Sequence, residues 1–466
     1  MRSRGLVGLR ASAPLGYVRT MIFGPTFAEM RDPSLLPADL RAKAADARSR
    51  PLDPLNLFNL SWKADGAVPF TVLPEALTGV RAPIVVLSGR RFPTGSHKVG
   101  PAYSILAEKQ LANECAPGEQ TLVFPSTGNF GIGGAWVGPR MGYRSLVVLP
   151  EEMSAERFEK IGDYGAEVVA TPGSESNVKE IYDKVKELRA ERGNRILNQF
   201  EEFGNYRFHF HCTAAAAVEV ADGLGLEIGA FVSAMGSAGT IAAGEAIKKR
   251  FPSSCTVAVE PVQCPTLYDV GFGAHRIEGI GDKHVTWIHN VFATDLLVCV
   301  DDLDCLRGLQ LLQEGTDTLV AEGVAEGLAG SWRDVFGISG VCNVLAAIKA
   351  ARHYALGPKQ ALVTMATDGF DRYPSVLRKL DAECGPMSGD EARRRLAIFR
   401  EQSAEHLLVG TPGVRRRWHN QKYFTWVEQQ GKTVAELRAL EDPAFWTAHQ
   451  EKAQEIDRAL LARRGA

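Results

Sequence analysis

Gly95-Ser96-His97-Lys98-Val99-Gly100, then Thr121-Leu122-Val123-Phe124 running into Ser126-Thr127-Gly128-Asn129-Phe130, is the stretch that decides how this chain folds. A lysine stands at the mouth of a helix predicted over Lys98–Asn113. The apolar strand that follows opens into a Gly/Asn turn. This order sets an amine beside a turn able to grip a carboxylate and a ring oxygen. The amine is chemically useful because burial or a nearby cation draws its pKa toward neutrality, where it attacks an aldehyde.

A second glycine loop lies downstream, Gly236-Ser237-Ala238-Gly239-Thr240, between the apolar run Ala230–Met235 and a predicted helix from Ile241 to Lys249. Small residues at a helix N-terminus leave backbone N–H groups uncovered where the macrodipole favours a dianionic phosphate. No lysine of Walker type follows, so the loop suits a cofactor phosphate better than a nucleoside triphosphate. Together with the lysine, this suggests pyridoxal phosphate held as a Schiff base. Gly128, Gly131, Gly133 and Gly134 imitate a dinucleotide fingerprint, but their spacing is wrong for one.

Gly337-Ile338-Ser339-Gly340, ahead of a helix through Ile348, completes the set. With these four motifs in order from about Ala82 to Tyr373, the chain resembles the cysteine synthase and cystathionine β-synthase group of pyridoxal-phosphate enzymes. These are fold type II, the tryptophan synthase β-like superfamily. The resemblance implies that Lys98 is the Schiff-base lysine, that Asn129 bonds the cofactor's 3′ oxygen, and that Gly236, Ser237, Ala238, Gly239 and Thr240 form the phosphate cup. Ser339 falls at the serine facing the pyridine nitrogen. Ser126, Thr127, Gly128 and Phe130, with Gln199, match the residues that hold the substrate carboxylate. Glu278-Gly279-Ile280-Gly281 resembles a stretch near the family's active-site entrance. Two departures leave the substrate open: Val99-Gly100-Pro101 follows the lysine where cysteine synthases carry a charged residue and an arginine, and Ser126-Thr127 is worded as in threonine synthases.

The 466 residues suffice for two or three domains, and with 45% hydrophobic and 23% charged residues the composition is that of a globular protein. A formal net charge of −2 gives no reason to expect nucleic acid or an anionic membrane as partner. The eight cysteines show no Cys-x-x-Cys pair or metal-ligand spacing, so neither disulfides nor zinc are expected. No apolar stretch is as long as a membrane span. The first twenty residues carry four arginines and no acid, and read as an extended leader, with Met21 an equally good start and the cytoplasm as the expected location.

Eight strand-like runs alternate with amphipathic helical stretches, which implies α/β architecture with parallel sheets covered on both faces. Ligands of such sheets bind beyond the carboxyl ends of strands, where every loop named above falls. By resemblance there are two α/β domains, a small one at 98–224 and a large cofactor-binding one at 82–97 with 225–373. They are flanked by an N-terminal extension, 1–81, and a helical C-terminal extension, 374–466. The Arg415-Arg416-Arg417-Trp418 run reads as a solvated or interface patch. A homodimer is expected.

Pyridoxal phosphate supplies an electron sink, and a neutral hydroxyl at its ring nitrogen damps that sink. Damping favours prompt loss of a group from Cβ after Lys98 takes the Cα proton. The expected reaction is therefore β-elimination or β-replacement on a small L-amino acid through an aminoacrylate. Threonine-synthase or ammonia-lyase activity is the alternative, and a non-catalytic scaffold would have no use for the amine. Ser339 also suits a helix N-cap, His97 suits packing or phosphate contact, and Asp368 suits a structural role.

Overall fold

The computed structural model describes residues 21–126, 128–173 and 178–465. The leader at 1–20 and the loop residue Thr127 lie outside the described residues. Among the described residues, eleven strands form two sheets. In chain order they are β1 Phe70–Leu73, β2 Ile84–Ser88, β3 Thr121–Pro125, β4 Arg144–Pro150, β5 Glu167–Thr171, β6 Asn194–Ile196, β7 Glu227–Ala234, β8 Cys255–Pro261, β9 Leu296–Val300, β10 Gln360–Ala366 and β11 Leu407–Val409.

The four-stranded sheet runs β5-β4-β3-β6 and is parallel throughout. The seven-stranded sheet runs β1-β2-β10-β7-β8-β9-β11, with a parallel centre closed at each edge by an antiparallel strand. Its central strands are continuous apolar runs, such as Ala361-Leu362-Val363 of β10 and Val257-Ala258-Val259 of β8, because helices bury both faces. The α/β, fold-type II architecture expected from the sequence is the one observed.

All eight expected strands form, and three more join them. β1 lies upstream of the first expected strand and pairs antiparallel with β2. β9 extends the centre of the large sheet, and the three residues of β11 cover its far edge.

Two close approaches set the lysine against the small sheet. The helix Val99–Leu111 packs on the helix Asn129–Arg140 at Gly133, where a Cβ would lie 3.0 Å from Val99 Cα. At Gly134 a Cβ would meet the Phe124 ring at 2.3 Å, so this helix lies directly on β3. Gly133 and Gly134, two of the glycines that imitate a nucleotide fingerprint, thus serve helix packing.

The flanking segments wrap this body. The Tyr103 hydroxyl donates to Pro25 O, and Asp457, on the last helix Pro443–Arg464, accepts the N–H groups of Phe27 and Ala28. Arg416 and Arg417 of the arginine run are exposed, in keeping with a solvated patch, while Arg415 is half-buried and Trp418 buried. Arg415 bonds Asp295 and Thr294 O, Arg417 donates to Leu267 O and Tyr268 O, and the buried Trp418 donates to Leu267 O. Among the described residues no helix is long and apolar enough to cross a membrane.

Candidate active site

Lys98 caps the N-terminus of its helix and is half-buried. Its Nζ donates to Ser237 Oγ at 3.3 Å, which joins the lysine to the glycine loop. The turn before it is pinned to the end of β10 by a bridge between Ser96 and Asp368. Lys98, Ser126, Gly128, Asn129, Phe130, Gln199, Gly236 and Ser237 line one small cavity, together with Phe200, Gly279 and Asp282. Thr127 is not described, and Ala238 lines the adjoining cavity.

The glycine loop follows β7 and enters the helix Ile241–Arg250. Ala238 takes a left-handed backbone, φ 57°, and Thr240 a right-handed one at the start of the helix. Among the described residues no acceptor reaches the N–H of Ser237, Ala238 or Thr240, while that of Gly239 turns back to Ser237 Oγ. Neighbours require the small residues: a Cβ at Gly236 would lie 2.6 Å from Gly279 O, and one at Gly239 would lie 2.2 Å from Asn205 Oδ1. Asn205 also donates to Ser237 Oγ, and Thr240 Oγ1 bonds Ser233 Oγ, so the cup is braced from behind.

Ser339 is the second residue of the helix Ile338–His353, whose N-cap is Gly337. The helix-cap alternative for Ser339 therefore does not describe it. Its Oγ is buried and has no hydrogen-bond partner among the described residues. Asn129 Oδ1 is in the same position, while its Nδ2 donates to Asp368 Oδ2 at 2.6 Å. Asp368 is fully buried and also accepts the Tyr373 hydroxyl, with Arg157 and Arg372 at 3.9 and 3.8 Å. A Cβ at Gly337 would strike Asp368 Oδ1, so that glycine is what admits the carboxylate. Asp368 is structural, as its motif suggests, and the structure it maintains is the orientation of Asn129.

His97 is buried between the rings of Trp62 and His209, with centroids 5.4 and 5.2 Å away. Burial, and secondarily the charge of Lys98, drive it well below the ordinary histidine range, which keeps the ring neutral. This is the packing role rather than acid/base work.

The family model for pyridoxal-phosphate dependent enzymes matches residues 69–368. The chain belongs to that family. Among curated relatives of this pyridoxal-phosphate enzyme, cysteine synthase from Staphylococcus aureus is 30% identical over 312 residues, 67% of this chain and 94% of the relative. A probable cysteine synthase from Bacillus subtilis is 33% identical over 286 residues, covering 61% and 86%. Among solved structures, O-acetylserine sulfhydrylase isoform 3 from Entamoeba histolytica superposes with TM-score 0.58 at 25% identity, covering 71% of this chain and 92% of that one. O-ureido-L-serine synthase does so at 0.56 and 26%, covering 69% and 94%. The enzyme is thus a cysteine synthase-like member of fold type II, with pyridoxal 5′-phosphate as its cofactor.

The residues present fit that cofactor. An amine, uncovered N–H groups at a helix N-terminus, and two buried polar atoms without partners among the described residues, on Asn129 and Ser339, match the aldehyde, phosphate and ring heteroatoms of the group. The motifs missed two residues. Arg157 packs against Gly128, where a Cβ would meet its Nη1 at 2.3 Å, and bonds Glu278 Oε2 at 2.5 Å. Asp282 lines the cavity itself. The signal for Asp282 was present, since a carboxylate directly follows the noted Glu278-Gly279-Ile280-Gly281 stretch.

Proposed function

We propose that the enzyme makes and breaks bonds at Cβ of a small L-α-amino acid, by removal of the Cα proton, departure of the β group, and then addition of a nucleophile or hydrolysis to a keto acid and ammonia. When bound, pyridoxal 5′-phosphate supplies the sink for the electron pair left at Cα. Lys98 is the amine that carries the cofactor and moves the proton at Cα. Gly236 to Thr240 hold the phosphate, Asn129 faces the 3′ oxygen and Ser339 the ring nitrogen. Ser126, Thr127, Gly128, Phe130 and Gln199 hold the substrate carboxylate.

The observation that carries the reading is Ser339: a buried neutral hydroxyl without a partner among the described residues, at a helix N-terminus where a carboxylate would instead keep a ring cation. A neutral partner leaves charge at Cα poorly stabilised, so expulsion of the β group outruns reprotonation elsewhere. The cysteine synthase relatives at 30% and 33% identity support the same chemistry. A small domain at 98–224 and a large one at 82–97 with 225–373 belong to this proposal, supported by the two separate sheets. So do a homodimer and a cytoplasmic location, for which the family resemblance is the support.

The test is a substrate panel on purified, cofactor-loaded protein: O-substituted serines, cysteine, threonine and homoserine esters. O-substituted serines are expected to turn over to keto acid and ammonia, or to a new β-substituted amino acid when a nucleophile is supplied. Turnover confined to γ-substituted substrates would replace this reading with the threonine-synthase one.

A further inference from the structure

Asp282 stands beside the lysine without being part of any motif. The chain reaches it through Gly279 and Gly281, both left-handed at φ 95° and 81°, a turn that other residues adopt only under strain. The turn is anchored by Gly281 N–H donating to Met235 O and by Thr266 Oγ1 donating to Asp282 O. Asp282 lines both the cavity of Lys98 and Asn129 and the adjoining one that holds Glu260, His284 and His289. His284 in turn lines an outer basin of about 680 Å³ between the helix Val178–Arg189 and the C-terminal extension. A carboxyl group therefore borders both the reaction cavity and the adjoining one, whose His284 also lines the outer basin. Burial pushes this carboxyl up to about 7, with the Lys98 charge as the opposing influence, and no hydrogen bond contributes.

We propose that Asp282 is a second proton carrier of the reaction, serving the atom that leaves or joins Cβ, and that the group exchanged there is neutral and protic: a thiol, an amine or a hydroxyl compound. This rests on the Cβ reading above. In elimination, Lys98 takes the Cα proton, the C–H pair becomes the Cα–Cβ double bond, and the Cβ–X bond breaks with its pair going to X. The Asp282 carboxyl group then gives X its proton, so HX departs. In addition each step reverses: HX yields its proton to the Asp282 carboxylate as X bonds Cβ, and Lys98 returns the proton to Cα. An anionic nucleophile needs no base and is repelled by a carboxylate, whereas a neutral one needs both the base and its position. The other charged or titratable groups around Asp282 include Lys98, Glu260, His284 and His289, with Tyr182 and Cys264 close enough to feel its charge, Lys283 next to it and Lys422 behind the loop.

The experiment compares wild type with Asp282→Asn and Asp282→Glu on two substrates, β-chloroalanine, whose chloride leaves unprotonated, and cysteine, whose thiol must be protonated. General acid catalysis contributes about 10²–10⁴-fold, so Asp282→Asn should lower cysteine elimination by on the order of 10²-fold more than chloride elimination, and Asp282→Glu should restore part of the difference. A second readout needs no turnover: difference infrared spectra of the cofactor-free protein should show a carboxyl C=O band that titrates near neutrality and is missing in Asp282→Asn. Equal losses on both substrates, or an infrared titration unchanged by the substitution, would overturn the proposal. Failure of wild type to process either substrate would instead defeat the Cβ reading, and the infrared titration would still decide whether Asp282 carries a proton.

Discussion

Asp368 shows how one buried carboxylate sets the geometry of a site it does not line. It accepts from Asn129 and Tyr373 and stands near two fully buried arginines. Removing it leaves those cations without their shared counter-charge, and breaking such a buried arrangement costs about 3–5 kcal/mol. Tyr373→Phe removes a single hydroxyl, a loss of about 1 kcal/mol. Urea unfolding of Asp368→Ala and Tyr373→Phe should therefore differ by at least about 2 kcal/mol, while equal losses would show that the charge is not what matters. Most of the residues that the motifs marked, from Lys98 and Asn129 to Gln199 and Ser237, meet at one cavity, because turns, cups and helix mouths are local and leave a local signature. Arg157 was not legible in this way, and Asp282 only as the carboxylate that follows the Glu278–Gly281 stretch. Each acts through an approach from a distant element, Arg157 against Gly128 and Asp282 across from Lys98, and no spacing in the chain encodes that approach.

At the scale of elements, the central strands were legible because runs such as Ala361–Ala366 are apolar on both faces and bounded by turn residues. β9, Leu296–Val300, is equally apolar, but a run of five cannot be told from a buried helical turn by periodicity. β1 and β11 are short edge strands whose half-exposed residues carry little hydrophobic pattern. In the proposed reading, the cup between β7 and its helix is the element on which cofactor affinity depends. Gly239 already lies against Asn205, so a larger side chain must displace either the cup or its brace. Gly239→Leu should weaken cofactor binding by on the order of tenfold or more, about 1.4 kcal/mol per decade. Equilibrium titration of the cofactor-free protein measures this, and unchanged affinity would remove the loop from the site.

At the scale of the molecule, the C-terminal extension lies beyond the family match and yet holds the segment that follows Asp282. Lys422 Nζ donates to Trp287 O at 3.0 Å and His289 O at 2.7 Å, Trp426 donates to Val285 O, and Thr286 Oγ1 donates to Ser237 O in the cup. Complete burial lowers Lys422 to about 7 from 10.5. The unfolded chain then binds one more proton than the folded one between those values, so this group adds stability as pH rises from 7 and its full penalty is present below 7. Lys422→Met removes the titration. The stability of wild type relative to Lys422→Met should therefore increase by up to about 1.4 kcal/mol per pH unit between pH 7 and 9, as measured by denaturant unfolding. A difference independent of pH would show that Lys422 stays charged in the fold. The helical nature of this extension was legible in its charged stretches, but its docking was not, since the buried Trp418 and Trp426 find their hydrogen-bond partners in the distant residues Leu267 and Val285.

The central claim is that Lys98 carries pyridoxal 5′-phosphate. Borohydride reduction of the loaded enzyme, followed by peptide mapping, should place the reduced cofactor on Lys98, and Lys98→Ala should lose the visible cofactor band along with turnover. A label on any other lysine, with Lys98→Ala still yellow, would contradict the assignment of this site.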